Sequence, residues 1–134
     1  MFLKSGTTDV AGGDFLHLII VEDLPFDQEK LADLIRQDCD SHGERVDLSF
    51  YASGEEFQQH YRPKSCDGLF LDIMLDGLTG IEIARKVREA EKRLPIIFTT
   101  IGRDYAVDGF AVRATDYLVK PLDPGQVARL LFFD

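Results

Sequence analysis

The apolar residues of this chain fall into two rhythms that take turns. Residues 16–21 make a nearly continuous apolar run, the pattern of a strand buried on both faces. Residues 25–39 then place Leu31, Leu34 and Ile35 on one helical face with charges opposite. Residues 45–51 alternate, with Val46, Leu48 and Phe50 turned inward. Ser53 and Glu56 have capping-box spacing and open a short helix carrying Phe57. Residues 68–71 are a third apolar run, and Thr79 with Glu82 repeats the capping-box spacing ahead of an Ile83, Ala84, Val87 and Ala90 stripe. Residues 95–99 read as a fourth strand and 104–112 as a helix with Val107, Phe110 and Ala111 on its apolar side. Residues 115–119 read as a fifth strand, and Asp123-Pro124 as the cap and first residue of a last helix.

Five strands, each followed by a helix, predict an α/β domain: a doubly wound, flavodoxin-like, five-stranded parallel sheet with helices on both faces. Right-handed crossovers and the strand order 2-1-3-4-5 are the economical topology. Residues 1–14 are polar and Gly-rich, without a signal-peptide core. They are expected to be a flexible leader, natural or vector-derived, ahead of a domain spanning 15–134 that is cut from a longer protein.

Composition narrows the function classes. With 134 residues, 45% hydrophobic and 29% charged, the chain has the make-up of one folded domain. Its net charge of -9 argues against direct nucleic-acid binding, which needs a basic face. Cys39 and Cys66 belong to no CxxC or His cluster and are expected to be free thiols in a reducing compartment. No apolar run approaches the ~18 residues of a membrane span, so a cytoplasmic location is expected.

Chemistry collects at the ends of the apolar runs. Glu22-Asp23 closes the first, Asp72 the third, Thr99-Thr100 the fourth and Lys120-Pro121 the fifth. In an open parallel sheet these ends share one edge, where ligands bind. Singly, each has an ordinary explanation: a loop start, a helix-dipole partner, a β-branched strand residue, a turn. Together they form a set of three carboxylates, a hydroxyl and an ammonium suited to a divalent cation and a phosphoryl group. Asp23 and Asp72 are expected to ligate Mg²⁺ directly, Glu22 through a water, and the backbone carbonyl of Met74 to complete the protein's share. Asp72 is then placed as a nucleophile toward phosphorus, with Lys120 and Thr100 offsetting the charge on the phosphoryl oxygens.

These motifs, Ile19-Ile20-Val21-Glu22-Asp23, Leu71-Asp72-Ile73-Met74 running to Gly80, Thr99-Thr100 and Asp116-Tyr117-Leu118-Val119-Lys120-Pro121, resemble the receiver domain of two-component response regulators over 15–134. The resemblance implies that Asp72 is the phospho-acceptor, Glu22 and Asp23 the Mg²⁺-binding acids, Thr100 and Lys120 the phosphoryl-stabilising pair, and Thr100 with Tyr117 the switch residues. It implies a cis peptide bond between Lys120 and Pro121, a sensor histidine kinase as phosphoryl donor, and autocatalytic phosphorylation and dephosphorylation in place of turnover. It also implies an output domain, transcriptional in kind, and a homodimer through the face made by the fourth helix, fifth strand and fifth helix. Residues 105–118 are similar to receivers that precede a LytTR-type DNA-binding domain.

Two positions depart from the family pattern. Asp76 stands where a proline is common and is expected to point outward. Ile101 stands where Ala or Gly is usual and is expected to narrow the approach to the phosphoryl group. Two rival functions follow from the same residues. A haloacid-dehalogenase-like phosphatase needs a second acid two residues after the nucleophile, and that position is Met74. A phosphorylation-independent interaction module would not need the full set of Glu22, Asp23, Asp72, Thr100 and Lys120.

Overall fold

The computed structural model describes residues 7–9, 13–101 and 112–132. In chain order the elements are β1 (Thr7–Asp9), β2 (Gly13–Val21), α1 (Pro25–Ser41), β3 (Val46–Tyr51), α2 (Gly54–His60), β4 (Gly68–Asp72), α3 (Gly80–Ala90), β5 (Ile96–Thr100), β6 (Asp116–Val119) and α4 (Pro124–Phe132). The expected helix over 104–112 lies outside the described residues, apart from the buried Val112 at its end.

The parallel part of the sheet runs β3-β2-β4-β5-β6, which is the expected order 2-1-3-4-5 of the five predicted strands. Its central strands are apolar along their length because both faces are covered. Leu16, Leu18 and Ile20 face a core shared with α1 and α4, while Ile19 and Val21 face one shared with α2 and α3. The edge strand β3 is half-buried, and Val46, Leu48 and Phe50 pack on the α1 side as their alternation predicts.

The expected loose leader is in part a strand. β2 begins at Gly13, and Thr7–Asp9 pairs antiparallel with Gly13, Asp14 and Phe15. This end of β2 extends past β3, which starts pairing at Leu16, and past β4, which starts at Leu18. Its backbone groups would otherwise lack partners, and three short residues supply them.

Local signals set the entries to the helices. Ser53 Oγ accepts the N–H of Glu56 at 3.1 Å. Thr79 and Glu82 form a complete capping box, with bonds of 3.2 and 3.0 Å. Asp123 Oδ1 accepts the Gly125 N–H at 3.1 Å. Gly80 brings α3 against the end of β4 so closely that a Cβ there would lie 2.4 Å from the Asp72 carbonyl oxygen. The far end of α3 is pinned by Arg88, 7% exposed, whose guanidinium donates to the carbonyls of Val112 at 2.7 Å, Arg113 at 2.9 Å and Glu91 at 3.0 Å.

Candidate functional site

The parallel order puts the C-terminal ends of β2, β4, β5 and β6 along one edge. Val21 pairs with Leu71, so Glu22 and Asp23 leave β2 beside Asp72, the last residue of β4. Asp72 pairs with Thr99, and Thr100 with Val119, so Lys120 leaves β6 one strand further on. The Lys120 N–H donates to the Thr100 carbonyl at 2.7 Å, and the Lys120–Pro121 bond is cis, as expected.

Glu22, Asp23 and Asp72 each offer an oxygen within 4.8 Å of the others. Lys120 reaches across this group. Its Nζ lies 2.7 Å from Glu22 Oε1, 3.0 Å from Asp27 Oδ2 and 3.3 Å from Asp72 Oδ2. Two N–H groups fasten the carboxylates to their own loops: Leu24 donates to Glu22 Oε2 at 3.2 Å, and Met74 to Asp72 Oδ1 at 3.2 Å. The Met74 bond ties the turn that carries its carbonyl to the Asp72 side chain.

The electrostatics are those of crowded acids. Burial raises the Glu22 carboxyl above its ordinary range, and hydrogen bonding with the Asp72 carboxyl raises it further, against the pull of Lys120. Burial and the Glu22 carboxyl also raise Asp23. Burial pushes Lys120 down, but its bonds to Glu22 and Asp27 and the charge of Asp72 outweigh this and hold it firmly cationic. Asp23 Oδ1 is buried and accepts no hydrogen bond. An all-oxygen donor set, a buried oxygen without a partner and acids that resist losing their protons fit a hard divalent cation, which would bring the missing positive charge.

The remaining expected residues are placed as follows. Thr100 is buried at the end of β5. Tyr117 is half-buried on β6, opposite Phe98, and packs against the core on the α3 side. Asp76 is exposed, as expected, though its charge still adds slightly to the raising of Asp23. Ile101, expected to narrow the approach to the phosphoryl group, is 76% exposed, so its side chain covers little. Met74, at the position where a phosphatase of the rival type needs its second acid, is half-exposed and has no charge to offer.

The sequence reading missed Asp27 and Arg88. Asp27 lies four residues after Asp23 at the start of a helix, and that spacing was a signal that it shares the strand edge. Arg88 carried no comparable signal.

Comparison with known proteins points one way. The model of the family described as response regulator receiver domain matches residues 18–131. The sensory transduction protein LytT of Oceanobacillus iheyensis is 35% identical over 108 residues, covering 79% of this chain and 42% of that protein. The chain thus spans less than half the length of this relative. Among solved structures, the response regulatory domain of mrkE from Klebsiella pneumoniae superposes with a TM-score of 0.73 at 28% identity, covering 87% of this chain and 92% of that one. The receiver domain of sensor histidine kinase PA1611 from Pseudomonas aeruginosa, solved with a magnesium ion coordinated in its active site cleft, gives 0.71 at 26% identity, covering 87% and 94%.

Proposed function

This chain belongs to the response regulator receiver domain family, and on that premise we propose that Asp72 accepts a phosphoryl group from the phosphohistidine of a sensor histidine kinase. The observation that carries the proposal is the Lys120 ammonium, set within 3.3 Å of Asp72 and 2.7 Å of Glu22 beside Asp23. In the transfer, an Asp72 carboxylate oxygen forms the new bond to phosphorus as the phosphorus–nitrogen bond of the donor breaks, and the imidazole nitrogen keeps the electron pair. Lys120 and Thr100 donate to the phosphoryl oxygens. Glu22, Asp23, Asp72 and the Met74 carbonyl would hold Mg²⁺, which when bound neutralises charge on those oxygens. Return to the resting state is attack of water on phosphorus, with cleavage of the bond to Asp72 and release of phosphate. The domain, taken as residues 15–134, acts on itself and turns over no external substrate.

The acyl phosphate biases an equilibrium between two packings, read out through Thr100 and Tyr117. In this reading the domain works in the cytoplasm, where the kinase presents its phosphohistidine. No described helix is long and apolar enough to cross a membrane. The switch reaches a transcriptional output of the LytTR kind through a further domain, since the relatives are longer than this chain. A phosphorylation-favoured homodimer through β6, α4 and the helix expected over 104–112 belongs to the same proposal. The charge of -9 leaves DNA contact to the output domain.

Incubation with acetyl phosphate and Mg²⁺, followed on a phosphate-affinity gel, tests the assignment. One hydroxylamine-labile phosphoryl group is expected in the native chain and none in Asp72→Asn or after chelation of the metal. Labelling that persists in Asp72→Asn, or sustained release of p-nitrophenol from p-nitrophenyl phosphate, would contradict it.

A further inference from the structure

We propose that Asp27 is a positioning residue that holds Lys120 in the unphosphorylated domain and yields it to the phosphoryl group, and so limits how readily Asp72 is phosphorylated. The inference rests on Asp72 being the acceptor. It starts from a count of donors. A lysine ammonium has three N–H groups, and Lys120 has three carboxylate partners: Glu22 at 2.7 Å, Asp27 at 3.0 Å and Asp72 at 3.3 Å. Its donors are all engaged. A phosphoryl oxygen arriving on Asp72 must take one of them.

Burial decides which partner lets go. The Glu22 and Asp72 side chains are 5% and 3% exposed, and until the bond from Asp72 to phosphorus forms, a carboxylate released there would be charged and dry. The Asp27 side chain is 26% exposed, so water replaces the lost bond at least cost. Asp27 also sits on a separate element, the first turn of α1, whereas Glu22 and Asp72 are held by the N–H groups of Leu24 and Met74.

The ordinary explanation for an acid in a first helical turn is the helix dipole. That explanation does not require the contact to Lys120, which is shorter than the one from Asp72 itself. The contact has two consequences for the reaction. It occupies the donor needed by the incoming group, and it adds a negative charge facing an anionic phosphoryl donor.

The test compares the native protein with Asp27→Asn, which removes the charge at nearly constant size, and Asp27→Glu, which keeps it. Beryllofluoride binding in saturating Mg²⁺ is measured by calorimetry, and the initial rate of phosphorylation by acetyl phosphate on gels, both at fixed ionic strength. Asp27→Asn is expected to bind beryllofluoride roughly threefold to tenfold more tightly and to be phosphorylated faster by a similar factor, the effect of one charge a few ångströms away in partly screened surroundings. Asp27→Glu should stay near the native values. Equal or weaker binding and equal or slower phosphorylation in Asp27→Asn, with only the melting temperature moved, would reduce Asp27 to a helix-dipole partner and overturn the inference. If the native protein itself fails to bind beryllofluoride with Mg²⁺, the reading of Asp72 has failed and the inference falls with it; if the native protein binds and Asp27→Asn matches it, the inference alone has failed.

Discussion

Two places in this domain bury charge, and they treat it in opposite ways. At the end of α3, the Arg88 guanidinium meets three backbone carbonyls and no carboxylate among the described residues, so each of its nitrogens has a neutral, fixed partner. Burial and the nearby Arg113 lower its proton affinity, yet an arginine keeps its charge regardless. At the sheet edge, the three acids Glu22, Asp27 and Asp72 share one ammonium, and Asp23 lies beside them with an Oδ1 that has no partner. The first place is satisfied and joins α3 to the segment at 112–113. The second is unsatisfied and poised to take up positive charge. A buried charge with its bonds complete is structural, whereas like charges held together at a strand edge mark a site built for a ligand.

The comparison predicts opposite responses to losing a charge. The largest effect belongs to the reaction itself: Asp72→Asn should abolish acetyl-phosphate labelling while leaving the urea midpoint at or above the native value, and a large loss of stability would remove the distinction drawn here. Next, Arg88→Met should cost about 2–4 kcal/mol in urea unfolding, because one buried and two part-buried carbonyls lose their donor. A cost under roughly 1 kcal/mol would mean that water satisfies those carbonyls, as at an ordinary surface arginine. Asp23→Asn should do the reverse, stabilising the metal-free domain by about 1 kcal/mol through relief of like-charge repulsion; Mg²⁺ is expected to raise the melting temperature of the native protein and not that of Asp23→Asn.

The smallest effect is on pH dependence. Glu22 and Asp23 have carboxyls raised in the folded state. The folded metal-free domain therefore holds protons that the unfolded chain has already lost, and the stability this brings is full below the ordinary carboxylate range and fades as pH rises through the raised values. Metal-free protein should gain from these two groups on going from neutral to mildly acid pH, and saturating Mg²⁺ should remove that gain. Arg88 contributes nothing to this profile. A metal-free profile identical to that of Asp23→Asn would show that the acids are not frustrated.

The two regions also differ in how far the sequence discloses them. A parallel strand covered on both faces is a run of apolar residues with a definite end, so Asp23, Asp72, Thr100 and Lys120 announce themselves by closing such runs, and the order of strands brings those ends together. Asp27 is harder to see because it lies on a helix, where an acid in the first turn has a sufficient local explanation. Arg88 is harder still. Its partners Val112 and Arg113 lie 24 and 25 residues away, and they offer carbonyls, which every residue has. The Thr7–Asp9 strand escaped for a related reason: it is held by backbone pairing rather than by apolar side chains. What a side chain's own type implies is legible; what it gains from distant backbone is not.

A titration of the ¹⁵N-labelled domain with Mg²⁺, followed by amide chemical shifts, addresses the poised acidic edge most directly. Saturable shifts centred on Asp23, Asp72 and Met74, with the amides around Arg88 still, are the predicted result. Shifts that never saturate, or that follow the exposed acids along α1 and leave Asp72 unmoved, would contradict it.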